Sequence, residues 1–183
     1  MRIRVIAAMA RDRGIGINNQ LPWKCQEDMR HFAQTTKSGT RNAVVMGRNT
    51  WMSLGCKPLR DRLNVVLTTK DCSWDTAITA RSFKHAIEVC ESESITDMWI
   101  IGGEQLYSDV LTNHKDSVDE CIITTMPVAN GLCDRFFPRL DDSDWALEAV
   151  ATIGFYDGHP VVVTTRRLRE RVVPRPGGLD LSK

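Results

Sequence analysis

The segment MWIIGGEQLYSDVL, residues 98–111, joins an apolar run to a helix through two glycines. The run 98–101 predicts a buried strand, and Leu106, Val110 and Leu111 fall on one face of the following helix. Glycines let a backbone approach a ligand closely, and the first turn of a helix offers unbonded N–H groups to an anion. The segment therefore predicts a strand–turn–helix unit with a seat for an anion at the turn.

Strands and helices alternate in this way along most of the chain, which predicts a single α/β domain with a mixed, mostly parallel central sheet flanked by helices. Residues 146–170 predict instead two long strands joined at the tight-turn dipeptide Asp157-Gly158, which adds an antiparallel C-terminal hairpin at one edge. We expect the domain to cover residues 1–171 and a Pro- and Gly-rich tail to cover 172–183. The expected strands are residues 2–9, 42–47, 63–69, 97–101 and 119–126, and the expected helices are residues 26–37, 48–55, 83–90 and 104–111.

The 183 residues include 24 basic and 23 acidic side chains, which leaves a net charge of +1. Such a balance gives no long-range field, so neither nucleic acid nor an anionic membrane is an expected partner. The first apolar run is too short for a secretion signal or a membrane span, and we expect a cytoplasmic protein. Six cysteines at irregular spacing, with no C-x-x-C pair, favour free thiols and indicate no metal site.

Two adjacent acids, Glu27 and Asp28, begin the expected helix at residues 26–37, which follows a long loop at 11–26. The apolar face of this helix is formed by Met29, Phe32 and Ala33. An ideal helix places Asp28 about 85° from the centre of that face and Glu27 about 175° away, on the solvent side. A carboxylate bordering an apolar wall gains a raised pKa and suits proton chemistry, whereas an ordinary first-turn acid only complements the helix dipole. The residues alone leave both interpretations of Asp28 open.

Two further strand ends carry groups that suit phosphate. In VVMGRNTW (44–51) a glycine precedes Arg48 and Thr50, and VLTTK (66–70) ends in two threonines and a lysine. Each taken singly is an ordinary connection between a strand and a helix. Three such ends in one sheet suggest a ligand with several phosphates, such as a dinucleotide lying across the strand ends.

Six motifs occur together in one order along the chain. They are VIAAMARDRGIGINNQLPW (5–23), an acid five residues after that Trp, VVMGRNTWMSL (44–54), PLRDRLNVVLTT (58–69), MWIIGGEQLY (98–107) and FFP (136–138). In combination they resemble the dihydrofolate reductase family over residues 2–171. The resemblance implies an NADPH-dependent enzyme that reduces 7,8-dihydrofolate to 5,6,7,8-tetrahydrofolate, in support of one-carbon, thymidylate and purine metabolism.

The resemblance also implies roles for particular residues. Asp28 matches the carboxylate that binds the pterin ring and helps to deliver a proton to N5, and Thr124 joins its hydrogen-bond network. Leu21 and Trp23 belong to a mobile lid, and Tyr107 lies near the nicotinamide.

For the rest of the substrate, the family pattern matches Arg62 to the arginine that clamps the carboxylate of the glutamate tail, with Lys57 adding charge at the mouth. The neighbouring Arg60 does not match this arginine of the family pattern. The walls around the pterin and benzoyl groups match Ile6, Ala7, Met29, Phe32, Leu54, Leu59 and Ile101.

For NADPH the family pattern implies four groups of contacts and a cis peptide at Gly102-Gly103. Around the nicotinamide and ribose lie Ala8, Ile15, Gly16, Ile17, Asn18, Asn19 and Gln20. At the phosphates lie Gly47, Arg48, Asn49 and Thr50. Around the adenosine and its 2′-phosphate lie Leu67, Thr68, Thr69, Lys70 and Arg81. Cradling the pyrophosphate lie Ile101, Gly102, Gly103, Glu104, Gln105 and Leu106.

Two other functions stay open at this point. A related reductase acting on another heterocycle, such as a riboflavin-pathway pyrimidine, would not need Asp28 with Thr124 and an arginine for a tail. A binding module without turnover would retain the pocket only. The basic residues at 166–171 are more typical of a solvated edge than of an RNA contact, and we expect a monomer that binds dihydrofolate and NADPH.

Overall fold

The computed structural model describes residues 1–128 and 131–169, so the tail expected at 172–183 lies outside the described residues. The strands are β1 (Arg2–Met9), β2 (Gly14–Gly16), β3 (Asn42–Gly47), β4 (Leu63–Leu67), β5 (Ile78–Ala80), β6 (Asp97–Ile100), β7 (Glu120–Thr125), β8 (Arg135–Phe136), β9 (Trp145–Tyr156) and β10 (His159–Leu168). The helices are α1 (Gln26–Thr36), α2 (Arg48–Ser53), α3 (Phe83–Ser92) and α4 (Glu104–Asn113).

Eight strands form one sheet in the order β5-β4-β3-β6-β1-β7-β10-β9. The pairs from β5 to β7 are parallel, and β10 is antiparallel to both β7 and β9. The expected mixed, mostly parallel sheet is therefore confirmed. The connection from β1 leads to β3 and that from β6 leads to β7, in opposite directions, so a crevice opens at the carboxyl ends of β1 and β6.

The central strands are apolar on both sides because helices cover both faces of the sheet. Val5 on β1, Val45 on β3 and Ile100 on β6 are fully buried. Helix α4 buries Leu106, Val110 and Leu111 against this core, which confirms the amphipathic face predicted from their spacing.

The C-terminal hairpin forms at the predicted dipeptide. Asp157 and Gly158 both have positive φ, 50° and 76°, as a two-residue turn of the twist-matched type I′ requires. Glycine, aspartate and asparagine adopt this conformation with least strain, so the Asp-Gly pair sets the register of β9 on β10.

A small second sheet was not predicted, because residues 11–26 carry no strand-like alternation. Within them Gly14 pairs with Phe136 and Gly16 with Arg135, joining β2 to β8. Beyond β2, Ile17 and Gln20 exchange two backbone hydrogen bonds of 3.0 and 2.9 Å around a tight Asn-Asn turn. This segment, residues 11–24, is called the lid below.

At the opposite edge of the sheet, ionic contacts join the amino ends of β1 and β6. Asp97 is 1% exposed and pairs with Arg4 and, at 2.9 Å, with Arg2. The Arg4 guanidinium also lies 3.8 Å above the Trp99 ring. These contacts join the amino ends of the two central strands, at the end of the sheet opposite the crevice.

The basic side chains on β10 and just beyond it lie close to acidic residues. Arg167 pairs with Glu148 at 3.2 Å, Arg166 pairs with Asp142, and Arg169 donates to the Asp142 carbonyl at 3.1 Å. The charges of Arg166 and Arg167 are thus paired, as on a solvated edge. Among the described residues, no helix is both long and apolar enough to span a bilayer.

Candidate active site

The predicted site residues meet at the carboxyl edge of the sheet. Ala8 on β1 lies beside Thr124 on β7, and Gly47 at the end of β3 donates to the Gly102 carbonyl at 2.7 Å. Helix α1 brings Asp28 to the same edge from one face of the sheet. Residues that lie far apart in the chain thus line one crevice at the topological switch point.

Asp28 is a buried carboxylate, only 6% exposed, beside the buried Thr124. Burial raises the pKa of Asp28 above its ordinary value, while hydrogen bonding by Thr124, the charge of His31 and the indole of Trp23 act in the opposite direction. Desolvation dominates, so this carboxyl holds a proton more readily than an exposed aspartate does. This is the property that proton delivery near neutral pH requires.

The lid residue Trp23 is 5% exposed and packs with Cys25, Met126 and Val161. Its Nε1 is buried and makes no direct hydrogen bond with any described residue, so its influence on Asp28 is weaker than that of Thr124. The indole N–H is therefore available to a molecule placed between it and the carboxylate. The neighbouring Leu21 is 56% exposed.

The buried face of α1 differs from the one predicted. Met29 is 65% exposed, whereas Asp28 and Thr36 are the buried residues of the helix, and Glu27 and His31 are half-buried rather than on the solvent side. The prediction was wrong because it assumed that apolar residues mark the packed face. Helix α1 instead lies against β9, where the side chain of Glu27 covers Gly154.

Gly154 leaves room for Glu27 and so for the first turn of α1. A Cβ at position 154 would lie 2.4 Å from Glu27 Cγ and 3.0 Å from its Cβ, so the Glu27 side chain or the turn of α1 that carries it would have to move. We expect Gly154→Ala to lower the free energy of unfolding by about 1–3 kcal/mol, as overpacking does. Urea denaturation measures this loss. Gly131→Ala is the matched control, since a Cβ there meets nothing within 4 Å, and equal midpoints for the two variants would contradict the expectation.

One apolar cluster contains most of the predicted substrate wall. Its buried members include Ile6, Trp51 and Trp99, and the predicted wall residues packed against it are Phe32, Leu54, Leu59 and Ile101. Ala7 is buried in the main core on the other face of the sheet, and Lys57 is exposed. Phe32, one turn after Asp28 on α1, belongs to this wall.

Arg62 is held in place before any ligand arrives. Its Nη1 donates to the Thr36 hydroxyl at 2.7 Å, and its Nε donates to the Arg60 carbonyl at 3.0 Å. The turn before it places Asp61 at a positive φ of 63°, where the carboxylate pairs with Lys37 at 2.6 Å. Arg60 itself is exposed and contributes its carbonyl oxygen, whereas the Arg62 guanidinium lies 5.9 Å from the centre of the Phe32 ring, a residue of the predicted wall.

Two of the three predicted phosphate seats, the turn at Gly102-Gly103 and the end of β3 at Gly47, lie next to each other. A Cβ on Gly47 would lie 3.7 Å from the Gly103 nitrogen, and a Cβ on Gly103 would lie 3.2 Å from the Thr50 hydroxyl. The cis peptide expected at Gly102-Gly103 is present. No described side chain caps the N-terminus of α4, so its first N–H groups face the seat. Arg48 is half-buried and Asn49 is exposed beside this seat.

The third seat lies at the end of β4. The Arg81 guanidinium donates to the Lys70 carbonyl at 2.6 Å and to Asp71 at 3.2 Å, so Arg81 and Lys70 are neighbours. Thr68 and Thr69 precede them, and Leu67 packs against the core. A cavity of about 490 Å³ lies here, lined by Asp71, Cys72, Ser73, Thr79, Arg81 and His85. Sequence reasoning missed His85, which lies on α3 and accepts the Arg81 N–H at 3.2 Å.

Three predicted site residues use their side chains elsewhere. Leu106 is buried in the core, and the Tyr107 hydroxyl donates to the Ile6 carbonyl at 2.8 Å. Burial raises the pKa of Tyr107 beyond its usual range, so it remains a neutral donor. Glu104 accepts the Phe136 N–H at 2.9 Å. The Tyr107 N–H is also taken, because it donates to the Gly103 carbonyl at 3.0 Å.

The lid residues of the predicted cofactor set form a hairpin. Ile15 packs against the main core and Ala8 against the cluster around Trp23. Asn18 and Asn19 form the turn at the tip, with φ of 49° and 59°, and Gln20 closes it. Within the described residues, no group of three or more His, Cys, Asp and Glu side chains is arranged to hold a metal ion.

Known proteins match this chain over most of its length. A family model described as dihydrofolate reductase matches residues 2–165. A dihydrofolate reductase from Schistosoma mansoni is 36% identical over 152 residues, which are 77% of this chain and 80% of that protein. One from Drosophila melanogaster is 31% identical over 155 residues, which are 78% of this chain and 82% of that protein.

The fold has a close match among solved structures. A dihydrofolate reductase from Enterococcus faecalis, complexed with NADP(H) and RAB-propyl, superposes with a TM-score of 0.80 at 23% identity. The match covers 92% of this chain and 97% of that chain. The eight-stranded sheet and its flanking helices are therefore shared.

Proposed function

The chain belongs to the dihydrofolate reductase family, and we propose that Asp28, Arg62 and the turn at Gly102-Gly103 are the main binding and catalytic elements of its reaction. That reaction reduces 7,8-dihydrofolate to 5,6,7,8-tetrahydrofolate with NADPH. The observation that carries the assignment is the buried Asp28 beside Thr124, at one end of an apolar wall whose other end is Arg62. A pterin with a benzoyl-glutamate tail has a polar ring edge, an apolar middle and a carboxylate in the same order.

The residues present suit NADPH. The glycines at 47, 102 and 103 leave backbone accessible, and the uncapped α4 amides suit a pyrophosphate. Arg48 and Thr50 lie beside that seat, and Lys70 and Arg81 supply cations where a 2′-phosphate would distinguish NADPH from NADH. When bound, the cofactor supplies the hydride.

Each side chain of the crevice then has a defined task. Asp28 accepts hydrogen bonds from the amino edge of the pterin and, because burial raises its pKa, favours protonation of the ring at N5. Thr124 orients the carboxylate, and the apolar wall excludes water from the ring. The lid, with Trp23 at its base and Leu21 exposed on it, closes the crevice over the nicotinamide. Arg62 fixes the glutamate carboxylate with its planar fork.

A comparison of substrates tests this function. We expect the protein to oxidise NADPH, followed by the loss of its absorbance, in the presence of dihydrofolate. It should not do so with a diaminopyrimidine intermediate of riboflavin synthesis, because such a substrate leaves Arg62 without a carboxylate. Turnover of the pyrimidine alone would favour the related reductase, and NADPH binding without any turnover would favour a binding module.

We also propose that the enzyme is a cytoplasmic monomer that contributes to thymidylate and purine synthesis, and that residues 1–171 fold as its single domain. All six cysteines are free thiols, four of them buried, which suits a reducing compartment. Light scattering of the purified protein and microscopy of a fluorescent fusion test the first two statements. A stable dimer or an extracytoplasmic signal would contradict them.

A further inference from the structure

Glu104 begins α4 directly after Gly103, yet its side chain turns away from the phosphate seat. Its Oε1 accepts the backbone N–H of Phe136 at 2.9 Å, and its Oε2 lies 3.8 Å from Nε of Arg135. Both partners belong to β8, which pairs with the lid strand β2. A single carboxylate therefore joins the helix of the phosphate seat to the sheet that contains the lid.

We propose that Glu104 is a positioning residue that ties the lid to the phosphate-binding turn, so that lid position and NADPH binding are coupled through its carboxylate. The proposal rests on the function given above, because it takes NADPH as the ligand of that turn. Glu104 itself need not touch the cofactor.

The segment around β8 contacts the lid at several successive points. The Asp134 N–H donates to the Gly16 carbonyl at 3.0 Å, and the Asp134 carboxylate accepts the Asn18 N–H at 3.2 Å. The Phe137 N–H donates to the Arg13 carbonyl at 2.8 Å. Cys133 fills the space above Gly14, where an added Cβ would lie 2.4 Å from its sulfur. A displacement of β8 is therefore transmitted to the lid from residue 13 to residue 18.

On its other side Glu104 lies next to the seat. The N–H groups that would hold a pyrophosphate are those of the first turn of α4, the turn that Glu104 begins. Its hydrogen bond to Phe136 is of the charge-assisted kind, which is stronger than a neutral one. Arg135 lies between two carboxylates, 3.8 Å from Glu104 and 3.9 Å from Asp134, and offsets their charge. Any shift of α4 on binding an anion thus acts on β8, and by linkage the position of β8 acts on the affinity.

Hydrogen exchange of the protein without ligands tests the tie itself. We expect Glu104→Ala to speed exchange of amides in residues 13–20 and at Phe136 about tenfold, as the loss of one charged hydrogen bond would. Glu104→Gln, which keeps an acceptor for Phe136, should have a smaller effect. Asp109→Ala is the matched control, because it removes a carboxylate from the same helix that bonds only toward Asn113 and His114 among the described residues.

The outcome separates a local tie from general destabilisation. Exchange in β1 serves as an internal reference, since this strand lies in the centre of the sheet. Lid exchange that stays at the wild-type rate in Glu104→Ala, or that rises only as much as exchange in β1, would overturn the tie. Neither result depends on whether the protein turns over dihydrofolate.

Equilibrium binding of NADPH tests the coupling, with four proteins: wild type, Glu104→Ala, Asp134→Ala and the double variant. Each single change should weaken NADPH binding about threefold to tenfold. The double variant should bind NADPH as tightly as whichever single variant has the lower affinity, because both changes act through the lid. Tighter binding by Glu104→Ala would mean that it acts only by repelling the pyrophosphate. That result, or strictly additive losses, would overturn the coupling. Wild-type protein that fails to bind NADPH would instead refute the proposed function.

Discussion

Asp28→Asn is expected to lower kcat/KM for dihydrofolate at neutral pH by about a hundredfold to ten-thousandfold, the range of general acid–base catalysis. The amide keeps the shape of the carboxyl and can still accept a hydrogen bond from Thr124, but it can neither carry the negative charge nor relay a proton. The difference in kcat/KM between Asp28→Asn and wild type should become smaller as the pH falls, because dihydrofolate then arrives already protonated by solvent. Initial rates of NADPH oxidation across a pH series measure both effects.

The same variant should unfold at a higher urea concentration than wild type at neutral pH. Burial raises the folded-state pKa of Asp28 above its unfolded value, so ionised Asp28 opposes folding above the folded pKa. That cost disappears as the pH falls below the unfolded pKa, and the two proteins should then converge. If Asp28→Asn loses activity but not stability, its lower activity comes from impaired catalysis rather than from misfolding.

Glu27→Gln is the control for Asp28→Asn, since it removes the adjacent charge and keeps the volume that packs on Gly154. We expect its activity to remain close to that of wild type. A large loss in Glu27→Gln, or wild-type rates in Asp28→Asn, would sink the assignment of the catalytic carboxylate.

Arg62→Ala is expected to raise KM for dihydrofolate about a hundredfold with little change in kcat. Truncating one partner of a hydrogen-bonded charge pair costs about 2–5 kcal/mol, and the tail carboxylate is bound equally in the ground and transition states. Steady-state kinetics with NADPH at saturation measures the split between KM and kcat. Arg62→Lys should fall between the two proteins, because it keeps the charge without the fork.

Two controls make the result specific to the tail. Arg60→Ala changes an exposed arginine two residues away and should leave KM within about twofold of wild type, as is usual for exposed charges. A dihydropterin that lacks the glutamate should be reduced with the same KM by wild type and Arg62→Ala. If Arg62→Ala raises KM for the truncated substrate as much as it raises KM for dihydrofolate, Arg62 acts by supporting Thr36 and α1 rather than by binding the tail.

Local patterns were sufficient to predict most of the fold. The apolar runs at β1 and β3 have the bounds that their composition predicts, and the Asp-Gly turn marks the hairpin because few residues tolerate positive φ. The strands β2 and β8 escaped prediction, since each pairs with a partner more than 100 positions away, which no short pattern records. Strands of two or three residues also carry too few side chains for a period to appear.

The site was predictable to a different degree for each residue. The resemblance, through the spacing from Trp23, predicts Asp28 as the catalytic carboxylate, and the burial of Asp28 supports that prediction. The helix-face argument reached the same residue but misplaced Glu27, because a charged side chain can pack over a glycine that is distant in sequence. The role proposed for Glu104 could not be predicted from the sequence either, since its partner is the backbone of β8 rather than a recognisable side chain.

In the proposed function, the bond between Arg62 and Thr36 lets helix α1 set the distance between the two groups that bind the substrate. Asp28 stands in its first turn and Thr36 is its last residue, about 12 Å apart at the rise of an ideal helix. Since Arg62 is fastened to Thr36, the two polar ends of the crevice are spaced by one rigid element rather than by loops. The proposed site therefore predicts that a ligand whose ring and carboxylate are separated by a shorter or longer spacer engages one end only, and that a single helix selects ligands by length.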